Sequence, residues 1–212
     1  MKKYISNFHF ITHDLPSRSH IEQVQAACEA GALYIQYRCL AKDDRGLIDE
    51  LNTIAEICDD WGATLIITDH YHLLPLVDVQ GVHIEDMNAD FSAIRKEIGE
   101  GKTLGASANS FDDIMRISVT SAVDYIGCGP FSVTETKPNN YPLLGIEGYR
   151  SIANEMKLNN INIPILAVGG VQIADVEELL TTGIYGVAVS GAVNFAEDPG
   201  RAIKEFRIWL RV

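Results

Sequence analysis

Residues 163–191 read IPILAVGGVQIADVEELLTTGIYGVAVSG, and this stretch decides the fold. A compact apolar run at 163–168 stops at Gly169-Gly170. A longer stretch at 173–180 follows and ends near Gly183. A second apolar run at 186–190 then closes on Ser190-Gly191. Short, nearly uninterrupted runs of Val, Ile, Leu and Ala suit parallel strands covered on both faces. The stretch is one strand–helix–strand unit.

The same unit repeats back to the start of the chain. Apolar or aromatic runs at 8–12, 33–37, 64–68, 81–84, 103–107 and 124–128 complete a set of eight expected strands with the two above. Helical stretches are expected at 19–29, 43–60, 91–98, 111–119, 146–157, 173–180 and 199–210. In the first of these, Ile21, Val24, Ala27 and Cys28 share one stripe, and Gly31 marks its stop. Asp90 and Ser110 suit N-caps, and Gly99 and Gly183 suit C-caps. Pro75 predicts a short or irregular element over 71–77. Eight strands alternating with eight helical segments predict an α/β fold, a single (β/α)8 TIM barrel spanning residues 1–212. A doubly wound open sheet would ordinarily use fewer strands.

Composition narrows the function classes. The chain has 212 residues, 47% hydrophobic and 22% charged, which is ordinary for a soluble globular domain. A formal net charge of −12 argues against a nucleic-acid binder. Cys28, Cys39, Cys58 and Cys128 form no Cys-x-x-Cys pair and no Cys/His ligand spacing, so no zinc site is expected from the sequence. No apolar run approaches membrane-spanning length, and Met1-Lys2-Lys3-Tyr4 leads into no apolar signal region. A cytoplasmic protein with free thiols is expected.

In such barrels, ligands bind at the C-terminal ends of the strands. The residues expected there are polar at every stave: Thr12-His13-Asp14, Gln36-Tyr37-Arg38, Thr68-Asp69-His70, Glu85 to Asn88, Ser107-Ala108-Asn109, Gly129-Pro130, Gly169-Gly170 and Ser190-Gly191. The two late glycine elements suit a phosphate cup, because glycine lets backbone N–H groups approach an anion closely. Gly169-Gly170 alone would more readily be a tight turn; its pairing with Ser190-Gly191 in a barrel favours the cup. Thr134, Thr136 and Lys137 put two hydroxyls and an ammonium in the long loop after the sixth strand. Asp69 and Asn88 offer hard oxygen ligands for magnesium on neighbouring staves. His70 and His72 suit acid–base groups or plain surface polarity, and His83 suits a structural hydrogen bond.

These motifs carry a resemblance. Gln36-Tyr37-Arg38, Thr68-Asp69, Gly81-Val82-His83-Ile84, Gly105-Ala106-Ser107, 124–130 (DYIGCGP), 134–137 (TETK) and Val168-Gly169-Gly170-Val171 occur in order along nearly the whole chain. In them the chain resembles thiamine phosphate synthase and its thiazole tautomerase relatives. The resemblance implies a cytoplasmic transferase that joins an aminopyrimidine methyl diphosphate to hydroxyethylthiazole phosphate. It implies that Gln36, Arg38, Ser107 and Lys137 contact the pyrimidine diphosphate, with Arg38, Ser107 and Lys137 as the catalytic set and Thr68 beside them. It gives Thr134, Thr136, Gly170, Ser190 and Gly191 to the thiazole phosphate, and Asp69 and Asn88 to magnesium. Partners would be the two small phosphorylated substrates, with no nucleic acid or membrane; a homodimer or contact with thiazole-forming enzymes would also fit.

Four positions depart from the family pattern. Leu40 stands where the synthases have lysine, Thr68 where they have asparagine, and Asn88 where they have a second aspartate. Asn109 stands where the tautomerases have histidine. Residues 36, 38 and 40 are expected to project to one side while the strand stays extended. Three readings remain open at this point: a synthase, a tautomerase using His13 or His70, and a non-catalytic thiazole phosphate binder.

Overall fold

The computed structural model describes residues 3–134, 136 and 140–212. Eight parallel strands close into a barrel in sequence order, with the last paired to the first. They are β1 Phe8–Ile11, β2 Tyr34–Tyr37, β3 Thr64–Thr68, β4 Gly81–Ile84, β5 Thr103–Ala108, β6 Tyr125–Cys128, β7 Ile165–Val168 and β8 Gly186–Val189. The helices are α1 His20–Glu29, α2 Asp44–Trp61, α3 Phe91–Ile98, α4 Phe111–Ser118, α5 Gly145–Leu158, α6 Val176–Thr181, α7 Gly191–Asn194 and α8 Pro199–Leu210. The barrel agrees with the alternation read from the sequence.

Local chemistry sets the helix ends. Ser19 caps α1 in a reciprocal box with Glu22, while Asp43, Asp90, Ser110 and Asp198 each accept a first-turn N–H. The element after β3 is a single 3₁₀ turn, Tyr71–Leu73, as Pro75 implies. The helix expected at 173–180 is instead a 3₁₀ turn, Ile173–Asp175, running into α6. The sequence reading did not separate α7 from the eighth strand's loop.

Two apolar layers hold the molecule together. The larger fills the space between strands and helices. The smaller lies inside the barrel and comprises Ile5, Ile11, Tyr34, Ile66, Tyr125, Leu166 and Ala188. Glycines make room for the rings there. A Cβ on Gly105 would lie 2.3 Å from the Tyr125 ring. His9 is also interior and stacks on Tyr34 at 3.9 Å. Above this floor the barrel is open.

Candidate active site

The open end of the barrel holds a cavity of about 580 Å³, a size suited to a small ligand. Alternate residues line it: Gln36 and Arg38, His83 and Glu85, Ser107 and Asn109, Gly127 and Gly129, Val168 and Gly170, Ala188 and Ser190. This is the two-residue period of strands whose inner face continues past the last ladder bond.

One wall carries charge. The Arg38 N–H donates to Thr12 Oγ1 at 2.9 Å, which fixes the chain as it leaves β2. Gln36 Nε2 donates to Thr68 Oγ1 at 3.0 Å, so Thr68 supports Gln36 from the neighbouring strand. Arg38 Nε donates to Glu85 Oε1 at 2.8 Å. The Glu85 N–H in turn donates to Asp69 Oδ1 at 2.7 Å. Asp69 has φ 64°, a left-handed conformation unusual for a residue with a side chain. The Glu85 carboxylate and the Arg38 guanidinium therefore meet on one side of the mouth, and Asp69 holds the Glu85 backbone from behind.

The floor is a hydrogen-bonded chain. His83 Nδ1 lies 3.0 Å from the Tyr125 hydroxyl, and His83 Nε2 lies 3.0 Å from Ser107 Oγ. With the proton on Nε2, Tyr125 donates to the ring and the ring donates to Ser107. The Ser107 hydroxyl proton is then turned to the cavity. Burial pushes the Tyr125 hydroxyl well above its ordinary range, so it stays a donor. With the Asn109 side-chain amide turned end for end, its nitrogen donates to the carbonyls of Gly129, at 3.1 Å, and Ala108, at 3.0 Å.

The opposite wall is mostly backbone. The Phe131 N–H donates to the Val168 carbonyl and the Ser132 N–H to the Gly169 carbonyl, each at 2.9 Å. Ser132 Oγ donates to the Gly170 carbonyl at 2.9 Å. These bonds tie the loop after β6 to the turn after β7. Gly169 and Gly170 have φ of 84° and 75°, values that a side chain would strain. The Thr134 and Thr136 hydroxyls lie 3.0 Å apart on the cavity wall. Ser190 and Gly191 complete it at the start of α7.

Most of the residues expected from the sequence come together here: Gln36, Arg38, Ser107, Thr134, Thr136, Gly170, Ser190 and Gly191 all line the cavity. Thr68 is buried behind Gln36. Lys137 lies outside the described residues. Asp69 and Asn88 are not on the cavity wall, and Asn88 is exposed. Leu40 corrects the expectation for residues 36, 38 and 40. β2 ends at Tyr37, and the Leu40 N–H bonds Asp14 Oδ2, leaving its side chain 67% exposed and off the wall. Among the histidines, His70 and His72 face Asp44 outside the cavity. His13 is off the wall too, and burial, followed by the charge of Arg38, lowers its pKa. The sequence reading placed Glu85 at the rim without giving it a role, and it passed over the His83 link to Ser107. Glu85 is two residues beyond His83, so strand alternation alone places both on the cavity side.

Magnesium is the metal that the family resemblance implies. The Asp69 carboxylate accepts from the Glu85 backbone N–H beside the mouth, and the carboxylates of Asp69 and Glu85 are hard oxygen donors of the kind that fit it.

Comparison with known proteins agrees with this arrangement. The family model described as Thiamine monophosphate synthase matches residues 8–193. The thiamine-phosphate synthase of Phocaeicola vulgatus is 38% identical over 190 residues, spanning 90% of this chain and 91% of that one. That of Bacteroides thetaiotaomicron is 34% identical over 207 residues, 96% of this chain and 97% of that one. The solved thiamine phosphate pyrophosphorylase of Pyrococcus furiosus superposes with a TM-score of 0.83 at 27% identity, covering 97% of this chain and 95% of that one. A family model that covers the barrel from β1 into α7, with relatives of full length, identifies the chain as a member of the thiamine monophosphate synthase family.

Proposed function

We propose that the cavity joins 4-amino-2-methyl-5-pyrimidinylmethyl diphosphate to hydroxyethylthiazole phosphate, giving thiamine phosphate and diphosphate in the cytoplasm. The observation that carries this is the pairing of two unlike walls suited to anions across one cavity: Arg38 on one, and the Gly169-Gly170 and Ser190-Gly191 backbone on the other. A single phosphorylated substrate would need only one of them.

The C–O bond of the pyrimidine methyl diphosphate breaks, and diphosphate leaves with the electron pair. The thiazole nitrogen lone pair then forms the new C–N bond to the resulting carbocation. This chemistry depends on stabilising the leaving group and aligning the partners. Arg38 and Lys137 bind the diphosphate. Ser107, held by His83, donates to the pyrimidine, and Gln36 with Thr68 sets the edge of that subsite. Thr134, Thr136, Gly170, Ser190 and Gly191 hold the thiazole phosphate. Asp69 and Glu85 would hold magnesium, whose contribution when bound is to neutralise the departing diphosphate.

The test is to incubate the protein with both substrates and magnesium. Thiamine phosphate should form together with one equivalent of diphosphate. Binding of thiazole phosphate without product, in folded protein, would favour a binder instead.

A further inference from the structure

Behind Arg38, on the side away from the cavity, lies a second polar cluster. Asp14 comes from the loop after β1, His20 from the first residue of α1, and Cys39 from the segment that follows Arg38. One carboxylate oxygen, one ring nitrogen and the Cys39 Sγ all lie within 4.8 Å of one another. His20 and Cys39 are buried, and Asp14 is partly open to solvent.

The surroundings of His20 are unusual. Its Nδ1 faces Glu50 Oε2 at 3.4 Å, and its Nε2 faces Asp14 Oδ1 at 3.5 Å and the Arg38 carbonyl at 3.2 Å. Every one of these neighbours is an acceptor. A neutral imidazole has a single N–H, so one nitrogen must present its lone pair to oxygen atoms. A second ring proton or a cation on the Nε2 side removes that conflict, and the Cys39 sulfur beside Asp14 and His20 favours the cation. Nδ1–H then donates to Glu50, the carboxylate–histidine arrangement that orients metal-bound imidazoles. The charges also close: Asp14, Glu50 and a Cys39 thiolate balance a divalent ion and Lys42, whose Nζ lies 2.8 Å from Glu50 Oε1.

We infer that Asp14, His20 and Cys39 form a zinc site, separate from the magnesium position, that clamps the segment carrying Arg38. Sulfur, nitrogen and carboxylate oxygen together are the donors zinc uses, and three protein ligands leave one position open. Magnesium would not choose a thiolate. The site joins the loop after β1 to the loop after β2, so its ion holds Arg38 from behind.

Cobalt is the probe, because a thiolate bound to it gives a near-ultraviolet charge-transfer band and histidine or carboxylate does not. The wild-type protein, stripped by chelator and titrated with cobalt, should bind one ion with that band. Cys39→Ser should remove the band, while Cys128→Ser, at the buried end of β6, should keep it. Zinc, followed by calorimetry, should bind more than about a hundredfold more weakly to Cys39→Ser, and about 10–100-fold more weakly to Glu50→Gln. The inference fails if wild-type protein binds cobalt without the band, if Cys39→Ser retains it, or if no ion binds. Cobalt bound without the band and lost on His72→Ala would instead assign the ion to Asp44, His70 and His72, three surface ligands that also lie close together.

Discussion

Arg38 and Glu85 define the chemistry of the mouth, and neither acts alone. On the proposed reading Arg38 receives diphosphate, yet its guanidinium is already engaged by a carboxylate at 2.8 Å. The incoming anion therefore competes with Glu85 for Arg38, and also meets its negative charge. Glu85→Gln removes that charge and keeps a neutral acceptor. Metal-free diphosphate should then bind about tenfold more tightly, roughly 1.4 kcal/mol, in calorimetry with chelator present. Equal or weaker binding would show that the pair does not oppose the anion. The Glu85 role was readable in principle, since alternation carries the inner face of β4 from His83 to residue 85. Its partner was not, because a contact across 47 positions in sequence depends on barrel closure. Leu40 teaches the converse. Alternation holds only while the backbone stays extended, and the bond from its N–H to Asp14 ends that run.

At the scale of elements, the turn after β7 and the loop after β6 form one unit. Three hydrogen bonds tie them, and Gly170 sits between them with no room to spare. A Cβ there would lie 2.2 Å from Ser132 Oγ and 2.6 Å from the Val133 carbonyl oxygen. Gly170→Val must therefore push the loop after β6 away from the cup, besides straining a backbone with φ of 75°. Calorimetry should show loss of thiazole phosphate binding in a variant that still folds; unchanged binding would put the thiazole phosphate elsewhere. The Gly169-Gly170 and Ser190-Gly191 elements were legible because glycine before a helical stretch has a specific backbone use. The split at 173–180 and the separate α7 were not. A three-residue 3₁₀ turn is too short to show its 3.0-residue period against the 3.6 of the helix that follows, and the four residues of α7 are too few to show any period.

For the molecule as a whole, the barrel was legible because each strand carries its own apolar run and five of the helices, α1 to α4 and α8, carry a side-chain cap. Its interior was less so: His9 reads as one polar residue in a strand, and only closure buries it against Tyr34 and Tyr125. Burial, with the charge of His83, holds the His9 pKa well below its ordinary range. Burial is likewise the leading cause of lowering at His13 and His20. The unfolded chain then binds more protons than the folded one below about pH 6.5. Stability should fall as pH drops through that value, by up to about 1.4 kcal/mol per pH unit for one such proton. His9→Phe, which keeps the stacked ring, should flatten part of the decline when Tm is followed from pH 8 to 5. An unchanged slope would mean that His9 is not held neutral. The central claim, two phosphate walls serving one bond-forming reaction, is tested most directly by the initial rate of thiamine phosphate formation with both substrates and magnesium, in wild type and Arg38→Ala. The account predicts turnover in the wild type and a loss of about 10²–10³-fold in Arg38→Ala, with thiazole phosphate affinity unchanged. No product from folded wild-type protein, or an Arg38→Ala variant as fast as its parent, would contradict it.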